Sequence, residues 1–336
     1  MAATLKDVAE HAGVSIATVS RVLNDPEKVA EHSRVKVLNA IDELGYSSNT
    51  LAKSLKKDGL NAVLVMLPSL SDPYFAQMGQ GISDVLASYG YLMITVATEG
   101  ESDLEEAYLL KAKSMGLAGV LLYTAHRRMP SSWSAFCANS PILFLSNTDP
   151  GGVEGANQLS IPWGELGELV ATYLLQQSRS RFLYLADNIS GFSPEFLEKL
   201  SSTVQRAGGH CEHRWAASSV DDAARELERY CSQVGQVPDA VITQTCFQGT
   251  GVLTALTSQG LRIPEDTAVL CLENSRLAQL TTPQLSVWGP SGYQIGVVGS
   301  RRLLNLIHTG EDDTVSGTTD EVILTLIARR STNAPQ

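Results

Sequence analysis

The chain has 336 residues, 43% apolar and 18% charged, with a formal charge of −11 at pH 7. That is room for two or three globular domains with a sizeable core, and the balance is too apolar for a disordered chain. No apolar run reaches the ~18 residues that span a bilayer, and the N-terminus lacks the apolar stretch of a signal peptide. The expectation is therefore a cytoplasmic protein with no membrane partner.

In chain order, the segment TLKDVAEHAGVSIATVSRVLN comes first. Leu5, Val8, Ala9 and Ala12 fall at i, i+3, i+4 and i+7, which predicts a helix capped by Thr4 and broken by Gly13. Val14 fills the corner, and Ser15 caps a second helix whose Val19, Val22 and Leu23 pack back onto the first. Ile16, Ala17, Ser20 and Arg21 are then left facing outward. In a DNA-binding helix-turn-helix the second helix enters the major groove. Arg21 suits a bidentate contact to guanine, and Ile16 and Ala17 suit thymine methyls. Ser15, Thr18, Ser20 and Asn24 are short donors for phosphate oxygens, which fix register without reading sequence. A helical hairpin used for protein contacts would share the exposed Ile16, so the pattern alone leaves that alternative open. After the loop Asn24-Asp25-Pro26, the residues Val37, Leu38, Ile41 and Leu44 predict a third helix ended at Gly45. Asn49 to Lys57 has helix-forming composition but few apolar residues, so alone it makes a weak helix or a linker.

Charge is unevenly placed. Residues 1–60 hold eight Lys/Arg (Lys6, Arg21, Lys28, Arg34, Lys36, Lys53, Lys56, Lys57) and eight Asp/Glu (Asp7, Glu10, Asp25, Glu27, Glu31, Asp42, Glu43, Asp58). The head is neutral, so the whole −11 lies beyond residue 60. An acidic body repels DNA and turns the neutral head and its basic linker toward it, with salt-dependent affinity.

From residue 61 the pattern becomes alternating strands and helices. Strands are predicted at 62–67, 91–97, 119–124, 142–146, 181–186, 239–244, 268–272 and 285–289, with helices near 74–89, 103–115, 164–177, 194–208, 221–234, 248–259 and 291–309. Such alternation implies parallel sheets covered by helices. Two successive sets of about four units predict two lobes, joined near Pro150-Gly151-Gly152 to Pro162.

The TLKDVAEHAGVSIATVSRVLN segment, together with VKVLNAIDELGY, SSNTLAKSL, AVLVMLPSLSDPYFAQMGQGI, LRIPEDTAVLCLEN and the tail RRST, resembles the lactose-repressor (LacI/GalR) family of bacterial transcription regulators. The resemblance implies an all-α head at 1–46, a hinge helix at 47–58, and an α/β core at 59–336 similar to periplasmic binding proteins. Its N-lobe would span about 61–160 plus about 290–320, and its C-lobe about 161–289 plus a C-terminal strand. It also implies a homodimer on double-stranded operator DNA, with Thr4, Lys28 and Ser33 joining the DNA-facing set. In the hinge it implies Asn49, Ala52 and Leu55, the last wedged between base steps in the minor groove. One departure is that Ser47-Ser48-Asn49 stands where the family usually has Arg-Pro-Asn.

An enzyme is not expected, and neither is a cofactor. Gly249-x-Gly251 and Gly79-x-Gly81 are incomplete dinucleotide motifs within predicted helices, and no phosphate-binding loop, nucleophile elbow or zinc-protease motif occurs. The six histidines (His11, His32, His126, His210, His213, His308) form no ligand cluster, with His210 and His213 on a strand or loop surface. The five scattered cysteines, Cys137, Cys211, Cys231, Cys246 and Cys271, read as core residues in a reducing compartment. Neither set gives a metal site. Asn188-Ile189-Ser190 matches a glycosylation triplet that has no meaning without secretion.

The resemblance puts effector contacts at Asp72, Tyr74, Phe75, Asp149, Asn188, Phe196, Thr245 and Glu273, at the carboxyl ends of the strands. Tyr74 and Phe75 suit either a ligand wall or plain core. The usual family arginine is replaced by Phe196 and the usual Asn-Asp pair by Thr245-Cys246, while Glu273 keeps the acid. Pro162-Trp163 and Ser146-Asn147 replace an Asp-Asn and an Asp-Arg. Without these bidentate groups the expected small-molecule effector is not a simple free sugar, but something more apolar or aromatic such as a nucleoside, or there is none.

Overall fold

The structure is a computed structural model that describes residues 3–46, 60–124, 128–138, 140–146, 153, 156–187, 193–310 and 322–333. It divides into two units, Met1–Leu60 and Asn61–Gln336. The segments expected to form the hinge helix at 47–58 and the lobe junction at 150–152 lie outside the described residues.

The first unit holds α1 (Leu5–Ala12), α2 (Ile16–Asn24) and α3 (Glu31–Glu43), with a 3-10 turn at Pro26–Lys28. Thr4 caps α1 reciprocally: the Asp7 amide donates to its hydroxyl at 3.3 Å, and the Thr4 amide donates to the Asp7 carboxylate at 2.7 Å. The Thr4 hydroxyl, donating to the Asp7 carboxylate at 2.7 Å, and the Thr4 amide hold that carboxyl below the ordinary carboxylate range. Gly13 takes φ +64, the left-handed conformation that ends α1. Ser15 caps α2, accepting from the Thr18 amide at 3.1 Å. Val8, Ala9, Ala12, Val19, Val22, Val37 and Ala40 form the core, with Leu5, Val14, Leu23, Ile41, Leu44 and Tyr46 at its edge. Each fully buried valine contributes roughly 1.5–3 kcal/mol, which a domain this small needs. The expected core position Leu38 is corrected: it is 47% exposed, and Ala40 takes the inward place on α3.

In the second unit, one sheet runs β1 (Leu60–Leu67), β2 (Leu92–Ala97), β3 (Leu117–Leu122), β4 (Ile142–Phe144) and β5 (Asn157–Gln158) in the order β2-β1-β3-β4-β5. The other contains β6 (Arg181–Ala186), β7 (His210–Trp215), β8 (Ala240–Thr243), β9 (Ala268–Cys271), β10 (Ser286–Gly289) and β11 (Thr325–Ile327) in the order β11-β10-β9-β8-β6-β7. The pairings described are parallel except β10 with β11. The buried runs Ala62–Leu67 of β1 and Phe182–Ala186 of β6 reflect sheets covered on both faces.

Helices α4 (Pro73–Ser88), α5 (Ser102–Ser114) and the short α6 (Ser134–Cys137) serve the first sheet, while α7 (Trp163–Leu175), α8 (Pro194–Arg206), α9 (Val220–Val234) and α10 (Cys246–Ser258) serve the second. After β10 the chain returns to the first lobe as α11 (Gly292–Thr309), which packs on α4, and then crosses back so that β11 closes the second sheet. The tail is fixed there: the Ser331 amide donates to the Gln284 carbonyl at 3.1 Å, and the Ser331 hydroxyl donates to the Val269 carbonyl at 2.6 Å.

β7 escapes the apolar-run criterion because it is an edge strand of sequence HCEHRW, with no fully buried residue. His210 and His213 do sit on it, at a register that sets His210 beside Arg181 and His213 beside Tyr184.

Glu105 on α5 is fully buried and accepts a hydrogen bond from the Thr124 hydroxyl at 2.8 Å. Burial pushes its carboxyl up from 4.5 to about 7, against the smaller downward pull of that hydroxyl. A carboxyl whose folded value lies above its unfolded one favours the fold below 4.5, and that contribution is lost as pH rises to about 7. Glu105→Gln keeps the shape and the acceptor without the charge. It is expected to raise the unfolding free energy above wild type at about pH 8, by up to about 3 kcal/mol, and to give no gain near pH 4.5. Thermal melts of both proteins across that range check the sign.

Candidate nucleic-acid interface and interlobe cleft

The turn between α1 and α2 aims α2 outward by its N-terminal end. Val19 and Val22 are buried, and the opposite side presents Ile16 (51% exposed), Ala17 and Arg21 to solvent. Thr18 and Ser20 are half-buried. The Ser15 and Thr18 hydroxyls lie 2.9 Å apart at the helix start, where free amides and the positive end of the dipole suit a phosphate. Arg21 has no ion pair among the described residues, whereas Lys28 sits 3.4 Å from Asp25 and Arg34 3.9 Å from Glu31, both exposed pairs worth little. Thr4 is spent on its cap, Ser33 is half-buried in the first turn of α3, and Asn24 ends α2. Asn49, Ala52 and Leu55 lie outside the described residues.

In the second unit, the chain leaves several strands into polar residues that meet between the lobes. Asp72, after β1, caps α4 by accepting from the Tyr74 amide at 2.8 Å. Tyr123 follows β3, Asp187 follows β6, Gln244 and Thr245 follow β8, and Glu273 follows β9. The rings of Tyr74 and Phe75 meet edge to face at 5.6 Å, and those of Phe75 and Tyr123 at 5.0 Å. Burial raises the Glu273 carboxyl well above its usual range, and the charges of Asp72, Cys271 and Asp187 add to this. Asp72 is raised by burial and by Asp187, and the Tyr123 phenol is raised by burial and by Glu273, Asp187 and Asp72. These groups from both lobes therefore share one field.

Of the expected cleft set, Asp72, Tyr74, Phe75 and Glu273 are brought together. Two others serve the scaffold. Phe196 is fully buried with its ring 5.1 Å from that of Tyr184, and Thr245 is a buried cap for α10, accepting from the Gln248 amide at 3.2 Å and from the Ser218 hydroxyl at 3.0 Å. Asp149 and Asn188 lie outside the described residues. Tyr123, Asp187 and Gln244 were missed by motif reasoning; the signal for them is position, one or two residues beyond a buried parallel strand. Tyr184, within β6, joins them by donating to the Gln244 side-chain carbonyl. Among the described residues no group of His, Cys, Asp or Glu has metal-holding geometry, and no helix is long and apolar enough to cross a membrane.

Comparison with known proteins agrees with both halves. A family profile described as "Bacterial regulatory proteins, lacI family" matches residues 4–49, and one described as "Periplasmic binding protein-like domain" matches residues 171–332. Catabolite control protein A of Staphylococcus epidermidis is 26% identical, over 93% of this chain and 94% of the relative. The HTH-type transcriptional repressor CytR of Escherichia coli K12 is 28% identical, over 88% of this chain and 87% of the relative. Among solved structures, the lac repressor dimer bound to operator and the anti-inducer ONPF superposes with a TM-score of 0.85 at 23% identity, covering 99% of this chain and 100% of that one. With the helix-turn-helix head, the two-lobed core and full-length regulators as relatives, the chain belongs to the lacI family of bacterial regulatory proteins.

Proposed function

We propose that this chain is a non-catalytic, homodimeric repressor that binds a pseudo-palindromic operator through its head and is controlled by a small molecule between its lobes. The observation that carries the reading is the outward face of α2: an exposed apolar pair and an arginine with no ion pair among the described residues, on a helix whose start is capped and whose opposite side is core. Residues 1–46 serve as reader, 47–58 as hinge and 59–336 as the control core, and the protein acts in the cytoplasm on chromosomal DNA. A ligand that closes the lobes would change operator affinity by a coupling of typically ~1–3 kcal/mol. Selection from random duplexes followed by sequencing tests the reading: two inverted half-sites support it, and binding without sequence preference overturns it.

Dimerisation has a candidate surface. Leu253, Thr254 and Ser258 of α10 line an open groove with Leu277, Leu280 and Thr281, and Leu280 is 79% exposed, far more than a large apolar side chain needs to be. A second copy covering this face would align two heads on one two-fold axis. Leu280→Glu is expected to give a monomer at micromolar concentration by sedimentation and to weaken operator binding at least tenfold. A variant that stays dimeric would place the interface elsewhere.

A further inference from the structure

Asp72 comes from the first lobe, and Asp187 and Glu273 come from the second. They are 7%, 2% and 6% exposed. Glu273 is the informative member. One of its oxygens accepts from the Cys246 amide at the start of α10, at 3.1 Å. The other is buried with no hydrogen-bond partner among the described residues. A buried acceptor left without a donor is unfavourable, and more so when charged, so the site carries an unfilled demand for an N–H or O–H group.

The type of donor follows from charge. Neither Asp72 nor Glu273 has an ion pair among the described residues, and the neighbouring charges acting on both are themselves acidic. Hydroxyls of a neutral sugar would satisfy the oxygens but not the charge. A bare metal ion fits poorly, since among the described residues no three acids stand close enough to hold one. The walls are aromatic, with Tyr74, Phe75 and Tyr123 in edge-to-face contact, and an ammonium on an organic body is attracted both to carboxylates and to ring faces.

We propose that the interlobe cleft takes a small organic ammonium ligand, with Glu273 accepting from its N–H groups and Asp72 adding to the negative charge around it. The proposal rests on the cleft being the control site of the regulator described above.

The test uses the full chain and two matched pairs, glucosamine against glucose and tyramine against its alcohol counterpart 4-hydroxyphenethyl alcohol, titrated by calorimetry. In at least one pair the amine is expected to bind at least tenfold more tightly than its neutral twin. Glu273→Gln, which keeps the shape and one acceptor, is expected to bring that ratio close to one while its circular dichroism stays as in wild type. Three results would overturn the proposal: neutral twins binding as tightly as the amines, an amine preference that survives Glu273→Gln, or no binding by any of the four compounds in a preparation that shifts operator DNA. A preparation that binds an amine selectively but shows no sequence-specific DNA binding would leave the ligand class standing and count against the regulator reading alone.

Discussion

Gly81→Ala is expected to lower the stability of the core by roughly 3 kcal/mol, at the upper end of the ~1–3 kcal/mol typical of overpacking. A methyl carbon built on Gly81 of α4 would stand 2.2 Å from the Tyr293 carbonyl oxygen of α11 and 3.1 Å from its carbon. The obstacle is backbone, so no side-chain rotation relieves it. Gly296 of α11 faces α4 in the same way, 2.2 Å from the Met78 carbonyl oxygen. The two helices are thus held at glycine-to-backbone distance, and parting them disturbs the core cluster that Met78, Ile82, Ile295 and Val298 share. Gly79 provides the control two residues away. Its nearest neighbour would be the flexible Met93 terminal methyl at 3.8 Å, so Gly79→Ala meets only ordinary contact and gains up to ~1 kcal/mol of helix propensity. Thermal unfolding should move the two variants in opposite directions, with Gly81→Ala lower by roughly 6–12 °C for a domain of this size. Equal Tm values for the two would show that α4 and α11 can separate without cost.

These glycines also show what the sequence reveals and what it hides. Gly79-x-Gly81 and Gly249-x-Gly251 are visible in the sequence as glycine pairs, but the purpose of Gly81 and Gly251 is tertiary. A methyl carbon built on Gly251 would stand 2.1 Å from the Val220 carbonyl oxygen of α9, a partner about thirty residues away that no local pattern names. The head was legible almost residue by residue, because caps, Gly13 and the 3.6-residue period are local physics; only Leu38 misled, since an apolar residue adjacent to a buried one need not face inward. The parallel strands were legible because burial on both faces makes them continuous apolar runs, and β7 was not because an edge strand need not be apolar. The cleft was least legible. Tyr123 and Gln244 read as the ends of strands, and they line the cleft because the strands stop one residue earlier. Asp187 has no motif around it at all.

Arg21→Ala is expected to abolish preference at one base pair in each half-site, a loss of ~1–3 kcal/mol per site and roughly 10- to 100-fold in discrimination. The argument is geometric. Arg21 leaves the exposed side of α2, one turn beyond the exposed Ala17, with Val22 next to it anchored in the core, so the helix cannot roll to replace it. Among the described residues it has no carboxylate partner to give up, so its planar fork is available to a guanine edge without breaking an ion pair described there. Lys28 gives the contrasting case. It lies outside α2 and is already 3.4 Å from Asp25, so a contact from it would be to phosphate and carry no sequence information. Lys28→Ala should weaken binding evenly across operator variants and reduce the salt slope by about one per protomer, while Arg21→Ala should flatten one column of the sequence logo. Titrating wild type and both variants against the selected operator and its single-base changes, over a range of salt, separates a base reader from a phosphate anchor. Identical logos for wild type and Arg21→Ala would mean that α2 docks in the groove by another face.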